Sequence, residues 1–410
     1  MADSTCIIIG GSHAAAQLAP SLRQAGWEGE ITMISADNYL PYHRPPLSKA
    51  YLDGRSTEEQ LLIRPQAFYD KQNVNVVLGR TVTSIDRANK TVTLDNGETK
   101  AYTKLAITTG AAVRKIPLQG SDLGGVHYLR DMADVSNIKA IVGEGKSAVI
   151  IGGGYIGLET AASLRKLGMS VTILEALPRV LARVTTEEIS AFYSRVHTEE
   201  GVNIVTDASV EALTGDGNVQ AVKLADGTEI PADLVVIGIG VIPVTDIAEA
   251  AGIEVGNGII VDEYARTSDH DIVAAGDCTF HHNPIYGIDL RLESVQNATD
   301  QAKVAANAIC GKLETYSALP WFWSDQYDLK LQIAGLSRDF DQVIIRGSTE
   351  EGRSFAAFYL RDGKLLAVDA INKPKEFMTC RRALSAGNAV TVNAEALADE
   401  SIDIKDALIS

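Results

Sequence analysis

The feature that most constrains this chain is a repeat of one supersecondary unit. "TCIIIGG", from Thr5, reads as a short apolar strand ending in a glycine turn. "AAAQLAPSLRQAG" follows as a helix despite Pro20, and "EITMISAD" as a second strand. The same order returns far downstream as strand "SAVIIGGG", helix "YIGLETAASLRKLG" and strand "SVTILEA". A strand–helix–strand unit lays its two strands parallel, so each copy predicts an α/β domain. Each copy is also followed by a hairpin and a buried strand that ends at glycine. These are "TVTLDNGETKAY" with "KLAITTGA", and "AVKLADGTEIPADLVVIGIGVIP". Two such units in one chain imply two dinucleotide sites.

The second copy carries the full fingerprint, with Gly152, Gly154 and Gly157 in "GGGYIG". The first glycine makes the tight turn, the second lets the backbone approach a pyrophosphate, and the third lets helix and strand pack closely. The N–H groups and dipole of the following helix then face the negative charge. Glu175 ends the next strand at the spacing of a ribose-hydroxyl acceptor. A carboxylate there repels a 2′-phosphate, which favours NADH over NADPH. Arg179 and Arg183 stand nearby and are candidates to line the adenosine pocket.

The first copy departs from the pattern, because its three positions read Gly10, Ser12 and Ala15. Ser12 puts a Cβ where a phosphate comes closest, so a site reduced to structure alone is one reading. The other is that the hydroxyl donates to a phosphate oxygen. His13 is a candidate phosphate contact or an ordinary turn residue, and Asp37, after the second strand, a candidate ribose acceptor. In "IVAAGDC", Asp277 follows a strand and a glycine turn, where a carboxylate suits a polyol such as the ribitol of FAD. The stiff loop "PYHRPPLSKAYL" leads to Lys49, either a surface cation or a charge near a flavin that Glu159 could pair with.

Net charge is −16 over 410 residues, which argues against nucleic acid and anionic membrane as partners. The apolar runs are short and broken by glycine, below the roughly 20 residues of a membrane helix. The start "MADSTCIIIGG" has neither the basic nor the apolar region of a leader. Cys6, Cys278, Cys310 and Cys380 form no CxxC pair, so a reducing cytoplasm is expected. From about Leu319 the pattern changes to strand-like runs and a closing helix, "KEFMTCRRALSAG", which reads as a separate α+β domain.

Together, "RPPLSKAYL", "GGGYIGLE", "RVLARVT", "AAGDC", "RLESVQNA" and "PWFWSDQY" resemble the FAD-dependent ferredoxin reductases of bacterial oxygenase systems, including those that serve cytochrome P450s. The likeness runs almost end to end, and "LESVQNA" with "PWFWSDQY" is more specific than any glycine motif. The resemblance implies a glutathione-reductase-like α/β fold. It has two Rossmann-type dinucleotide-binding domains and a C-terminal α+β domain. The expected stretches are 1–110 and 239–318 for FAD, 111–238 for NAD and 319–410 for the C-terminal domain. It implies FAD contacts from Gly10, Ser12, His13, Ala14, Ala15, Asp37, Arg44, Pro45, Lys49, Val82, Thr109, Arg130, Asp277, Val295 and Trp323. NADH contacts are implied for Gly152, Gly154, Tyr155, Ile156, Gly157, Glu159, Glu175, Arg183 and Gly240. Lys49, paired with Glu159, would steady charge on the reduced flavin, and Trp323 would cover its exposed edge. The chain departs from the family pattern at Ser12, and Asp37 is shifted by one place.

The implied activity is reduction of a [2Fe–2S] ferredoxin by NADH through FAD. Arg338, Lys373, Lys375, Arg381 and Arg382 are candidates for the acidic partner's patch, or simply a solvated face. Rubredoxin is an alternative acceptor. A disulfide reductase needs a CxxC, and an NADH oxidase or peroxidase needs a cysteine that the stretch from Tyr39 to Lys49 lacks. A signalling flavoprotein like apoptosis-inducing factor shares the fold, and the acidic charge and aromatic block weigh against it. Cys278, His281 and His282 lack a fourth ligand for zinc, so no metal is expected.

Overall fold

Strand Thr5–Ile9 places Cys6 and Ile8 on one face of a sheet and Ile7 and Ile9 on the other, as the two-residue period of a strand requires. The computed structural model describes residues 4–387 and 389–409; the first three residues of the start quoted above lie outside the described residues. The chain divides into two units. The first comprises Met1–His43, Glu59–Ala112 and Ile242–Phe322, the second Arg44–Glu58, Val113–Val241 and Trp323–Ser410.

In the first unit a parallel sheet runs in the order Ile272–Ala274, Lys104–Ile107, Thr5–Ile9, Glu30–Ile34, Val74–Val77. One face packs on the helices His13–Ala25 and Val295–Ile309. These meet through small residues, Ala15 and Ala19 on one and Ala302 and Ala306 on the other. The opposite face packs on Val82, Ile85, Val92 and Leu94 of the three-stranded hairpin layer. Apolar cover on both faces is what a parallel sheet needs.

The second unit repeats this plan. Its parallel sheet runs in the order Val202–Val205, Ser170–Leu174, Ser147–Ile151, Leu234–Ile237, Val126–Tyr128. Val149 and Ile151 face the layer of Leu213, Val222 and Leu224, and helix Tyr155–Lys166 buries Leu158, Ala161 and Leu164. The same unit holds an antiparallel sheet with the path Trp321–Gln326, Leu329–Gly335, Lys364–Ile371, Phe355–Arg361, Gln342–Gly347, with helix Pro374–Ser385 after it. Compactness thus groups residues 44–58 and the C-terminal stretch with 113–241.

Candidate active site

In the second unit the glycines divide their tasks by geometry. Gly152 has φ +115°, and a Cβ on it would lie 2.4 Å from the carbonyl oxygen of Gly238. A Cβ on Gly157 would lie 2.1 Å from the carbonyl oxygen of Gly152, so helix and strand pack here only through glycine. A Cβ on Gly154 would meet nothing within 4 Å, because it points into open space before the helix. No side chain caps that helix, and its first turn carries no acid. By contrast, Asp131 and Asp134 form a capping box on helix Met132–Ile141, and Ser294 caps Val295–Ile309. The uncapped N–H groups and the open approach fit a dinucleotide pyrophosphate. Glu175 accepts from the N–H groups of Gly153 at 2.7 Å and Leu177 at 2.9 Å, which fixes its carboxylate beside the turn. Ile156 and Arg183 are exposed, as is Gly240 with φ +101°.

The first unit has the corresponding turn. Gly10 has φ +114°, and a Cβ there would lie 2.2 Å from the carbonyl oxygen of Thr108. Ser12 precedes the helix in an extended conformation (φ −124°) open to any residue, and its side chain does not cap the helix. Its hydroxyl lies 3.5 Å from His13 Nδ1, and the His13 ring tilts against His43 at 5.6 Å. Ala14 and Ala15 are buried. The first turn of the helix holds no acid, so this turn also fits a pyrophosphate. Asp37 accepts from the Tyr42 hydroxyl at 2.8 Å, and Thr109 donates its hydroxyl to the Val244 carbonyl at 2.7 Å. Val82 is buried in the apolar layer, Asp277 is half-buried after strand Ile272–Ala274, and Val295 opens its helix.

A short 3₁₀ helix, Pro45–Ser48, presents Lys49 to helix Tyr155–Lys166 within the second unit. Lys49 Nζ lies 2.6 Å from Glu159 Oε2 and also donates to the Pro45 carbonyl at 2.9 Å. Ser48 Oγ donates to the same Oε2 at 2.6 Å, and Ser324 Oγ donates to Oε1 at 2.6 Å. The Glu159 side chain is 2% exposed and the Lys49 side chain 15%. Three donors meet the buried Glu159 carboxylate, so the Lys49 ammonium is held in one place by an ion pair that is neutral overall. Sequence reasoning missed Ser48 and Ser324, although both lie in the quoted motifs. Arg44 donates to the Arg130 carbonyl at 2.5 Å, and Trp323 is half-buried on the strand that carries Ser324.

Other candidate residues have local partners. Arg179 turns to its own loop, donating to the carbonyl of Thr185 at 2.9 Å and to Ser190 Oγ at 2.6 Å. Lys373 is paired with Glu400 at 2.5 Å and Lys375 with Asp403 at 2.8 Å. Cys278 faces the carbonyls of Ile107 and Ala275, and His282 bonds Asp289. Among the described residues no group of three or more His, Cys, Asp or Glu could hold a metal ion.

A second polar cluster was not foreseen. Asp369 is 1% exposed, and Tyr359 donates to its Oδ2 at 2.7 Å. Burial pushes its carboxyl up to about 7. Burial and the charge of Asp369 also raise the Tyr155 and Tyr193 phenols.

Residues 4–302 match the family model of pyridine nucleotide-disulphide oxidoreductases, and residues 321–408 match that of the reductase C-terminal domain. The chain is 41% identical to putidaredoxin reductase of Pseudomonas putida, covering 99% of this chain and 97% of that protein. It is 44% identical to a ferredoxin–NAD(P)(+) reductase of Sphingomonas sp., covering 93% and 92%. Among solved structures it is similar to the covalent putidaredoxin reductase–putidaredoxin complex, with a TM-score of 0.96 and 40% identity over 99% of this chain and 98% of that one. It is also similar to the ferredoxin reductase for the CYP199A2 system from Rhodopseudomonas palustris, with a TM-score of 0.94 and 41% identity over 99% and 100%.

Proposed function

The chain belongs to the pyridine nucleotide-disulphide oxidoreductase family, and on that premise we propose that it carries electrons from NADH, through FAD, to a [2Fe–2S] ferredoxin that serves a cytochrome P450 or another oxygenase. The observation that carries this reading is the pair of uncapped glycine-turn helices, one in each unit, with Lys49 and Glu159 joined on the second. Bound FAD and NADH would supply hydride transfer and the release of single electrons.

The residues divide the remaining work. Gly10, Ser12, His13, Ala14 and Ala15 are proposed to hold the FAD pyrophosphate, Asp37 its ribose and Asp277 its ribitol. Arg44, Pro45, Val82, Thr109, Arg130, Val295 and Trp323 are proposed as its further contacts. Gly152, Gly154, Tyr155, Ile156, Gly157 and Gly240 are proposed to hold NADH. Glu175 selects the free 2′-hydroxyl, because its carboxylate would repel a 2′-phosphate. The Lys49 ammonium, fixed by Glu159, stabilises negative charge where it develops. Arg338 and Arg382 are exposed, and with Lys373, Lys375 and Arg381 they are the cations of the proposed partner patch.

Most named relatives support a ferredoxin acceptor, while two that are 38% identical are rubredoxin–NAD(+) reductases, of Pseudomonas putida and Ectopseudomonas oleovorans. The ferredoxin reductases are further represented in oxygenase systems. They include reductase components of an anthranilate 1,2-dioxygenase system in Burkholderia cepacia and of a 5,5'-dehydrodivanillate O-demethylase in Sphingobium sp.. No helix among the described residues is long and apolar enough to cross a membrane. The four cysteines are free thiols, which supports the cytoplasmic reading. The test is anaerobic turnover with NADH against [2Fe–2S] ferredoxins and rubredoxins in parallel. Faster reduction of one [2Fe–2S] ferredoxin, with a rate that falls as salt rises, is expected. Faster reduction of a rubredoxin, or of neither carrier, overturns the proposed acceptor.

A further inference from the structure

The motif "WSDQY" contributes more than Trp323. Within the second unit a line of hydrogen bonds runs from Glu159 away from Lys49. Ser324 Oγ is 2.6 Å from Glu159 Oε1, and Gln326 Nε2 is 3.2 Å from Ser324 Oγ. His197 Nε2 is 2.8 Å from Gln326 Oε1, and the Tyr327 hydroxyl is 3.2 Å from His197 Nδ1. Ser324, Gln326 and His197 are each 2% exposed or less, and Tyr327 is half-buried.

The direction of this line follows from its first member. A carboxylate paired with an ammonium accepts and does not donate, so Ser324 donates to Glu159. The Ser324 oxygen is then left to accept, and only the amide NH₂ of Gln326 can donate to it. The Gln326 oxygen therefore faces His197, whose Nε2 carries the hydrogen. Burial lowers the His197 imidazole to about 4, so the ring is neutral and Nδ1 holds a lone pair for the Tyr327 hydroxyl. Every donor in the line points toward Glu159, and hydrogen bonds aligned head to tail strengthen one another.

We propose that His197, Gln326 and Tyr327 are positioning residues, which act through Ser324 to hold the Glu159 carboxylate against Lys49 and so to fix the charge that Lys49 presents to the flavin. The proposal rests on the reading that Lys49 faces the flavin.

Two measurements on the FAD-loaded protein test it. The first is ¹⁵N NMR of histidine-labelled protein, with the His197 signals identified by their loss in His197→Gln. A neutral Nε2–H tautomer is expected. The Nδ1–H tautomer would reverse the line and overturn the proposal, whatever the activity. The second is single-turnover flavin reduction by NADH in Gln326→Leu, Ser324→Ala and the double variant. Each single variant is expected to slow reduction about three- to tenfold, the scale of one hydrogen bond near a charge, without weakening NADH binding. The double variant is expected to match Ser324→Ala, because Gln326 acts through Ser324. Additive losses, or a Gln326→Leu rate equal to wild type, overturn the proposal. Lys49→Met separates the two levels. If it leaves reduction unchanged, the underlying reading fails. If it slows reduction while Gln326→Leu does not, only the positioning line fails.

Discussion

Asp369 gives a test of the energetics in which the sign is as informative as the size. It lies on strand Lys364–Ile371, and its Oδ2 accepts from Tyr359 at 2.7 Å and Thr185 at 3.4 Å. Oδ1 has no hydrogen-bond partner among the described residues. Burial is the largest influence and lifts the carboxyl from 3.8 to about 7, while the bonds from Tyr359 and Thr185 oppose it. A raised carboxyl pKa means that the folded state holds its proton more tightly than the unfolded state. The stability this supplies is fully present below 3.8 and is lost as pH rises through about 7. A gap of roughly three pH units at about 1.36 kcal/mol each makes the loss about 4 kcal/mol. Asp369→Asn keeps the shape and carries no charge. Urea unfolding of both proteins across this range, read as a difference, isolates Asp369 from every other titrating group. The variant is expected to match wild type near pH 4 and to exceed it by several kcal/mol, up to about 4, near pH 8. A difference that does not change with pH would refute the reasoning, since it would mean that folding leaves the carboxyl pKa where it stands in the unfolded chain.

Other expectations follow from single positions. Gly154→Ala should fold normally, because its Cβ enters open space, yet weaken NADH about tenfold by titration calorimetry. Gly157→Ala should instead lower stability by roughly 1–3 kcal/mol in thermal unfolding, because its Cβ meets backbone at 2.1 Å. Arg346 is 4% exposed, pairs with Glu376 at 3.3 Å and donates to the carbonyls of Asp399 and Ile402. Arg346→Met should cost about 3–5 kcal/mol by leaving Glu376 and the C-terminal turn without their donor, and changing Glu376 to Leu as well should recover part of it. Lys49→Met should slow flavin reduction by NADH roughly a hundredfold in stopped flow, and should also lower stability by about 3–5 kcal/mol, because it leaves the buried Glu159 carboxylate without its cation.

What the sequence discloses here is local and periodic. The strand alternation of Cys6 to Ile9, the Asn-Gly hairpin and the glycine turns at Gly10 and Gly152 are short-range patterns, so the duplicated domain is readable before any contact is known. The positions of Gly152, Gly154 and Gly157 are equally readable, because their spacing is fixed within one turn, although the carbonyl that crowds Gly152 comes from distant Gly238. The contacts that were missed join residues far apart in the chain. Ser48 and Ser324 meet at Glu159 from opposite sides of the sequence. His197 reaches Gln326 across more than a hundred residues, and Asp369 lies under Tyr359 and Thr185. The partners of Arg179 were not legible either, because they are backbone carbonyls that only the folded loop brings together. The acids that pair with Lys373 and Lys375 were not legible for the same reason, since they come from the terminal turns.

The most direct test of the central claim is a double-mixing experiment without oxygen. The FAD-loaded protein is first mixed with one equivalent of NADH and then with a [2Fe–2S] ferredoxin, following flavin and iron–sulfur absorbance. The account predicts rapid loss of the yellow colour with NADH, slower loss with NADPH, and return of the colour in step with ferredoxin reduction. Bleaching by NADH with no return of colour on adding any ferredoxin would contradict it.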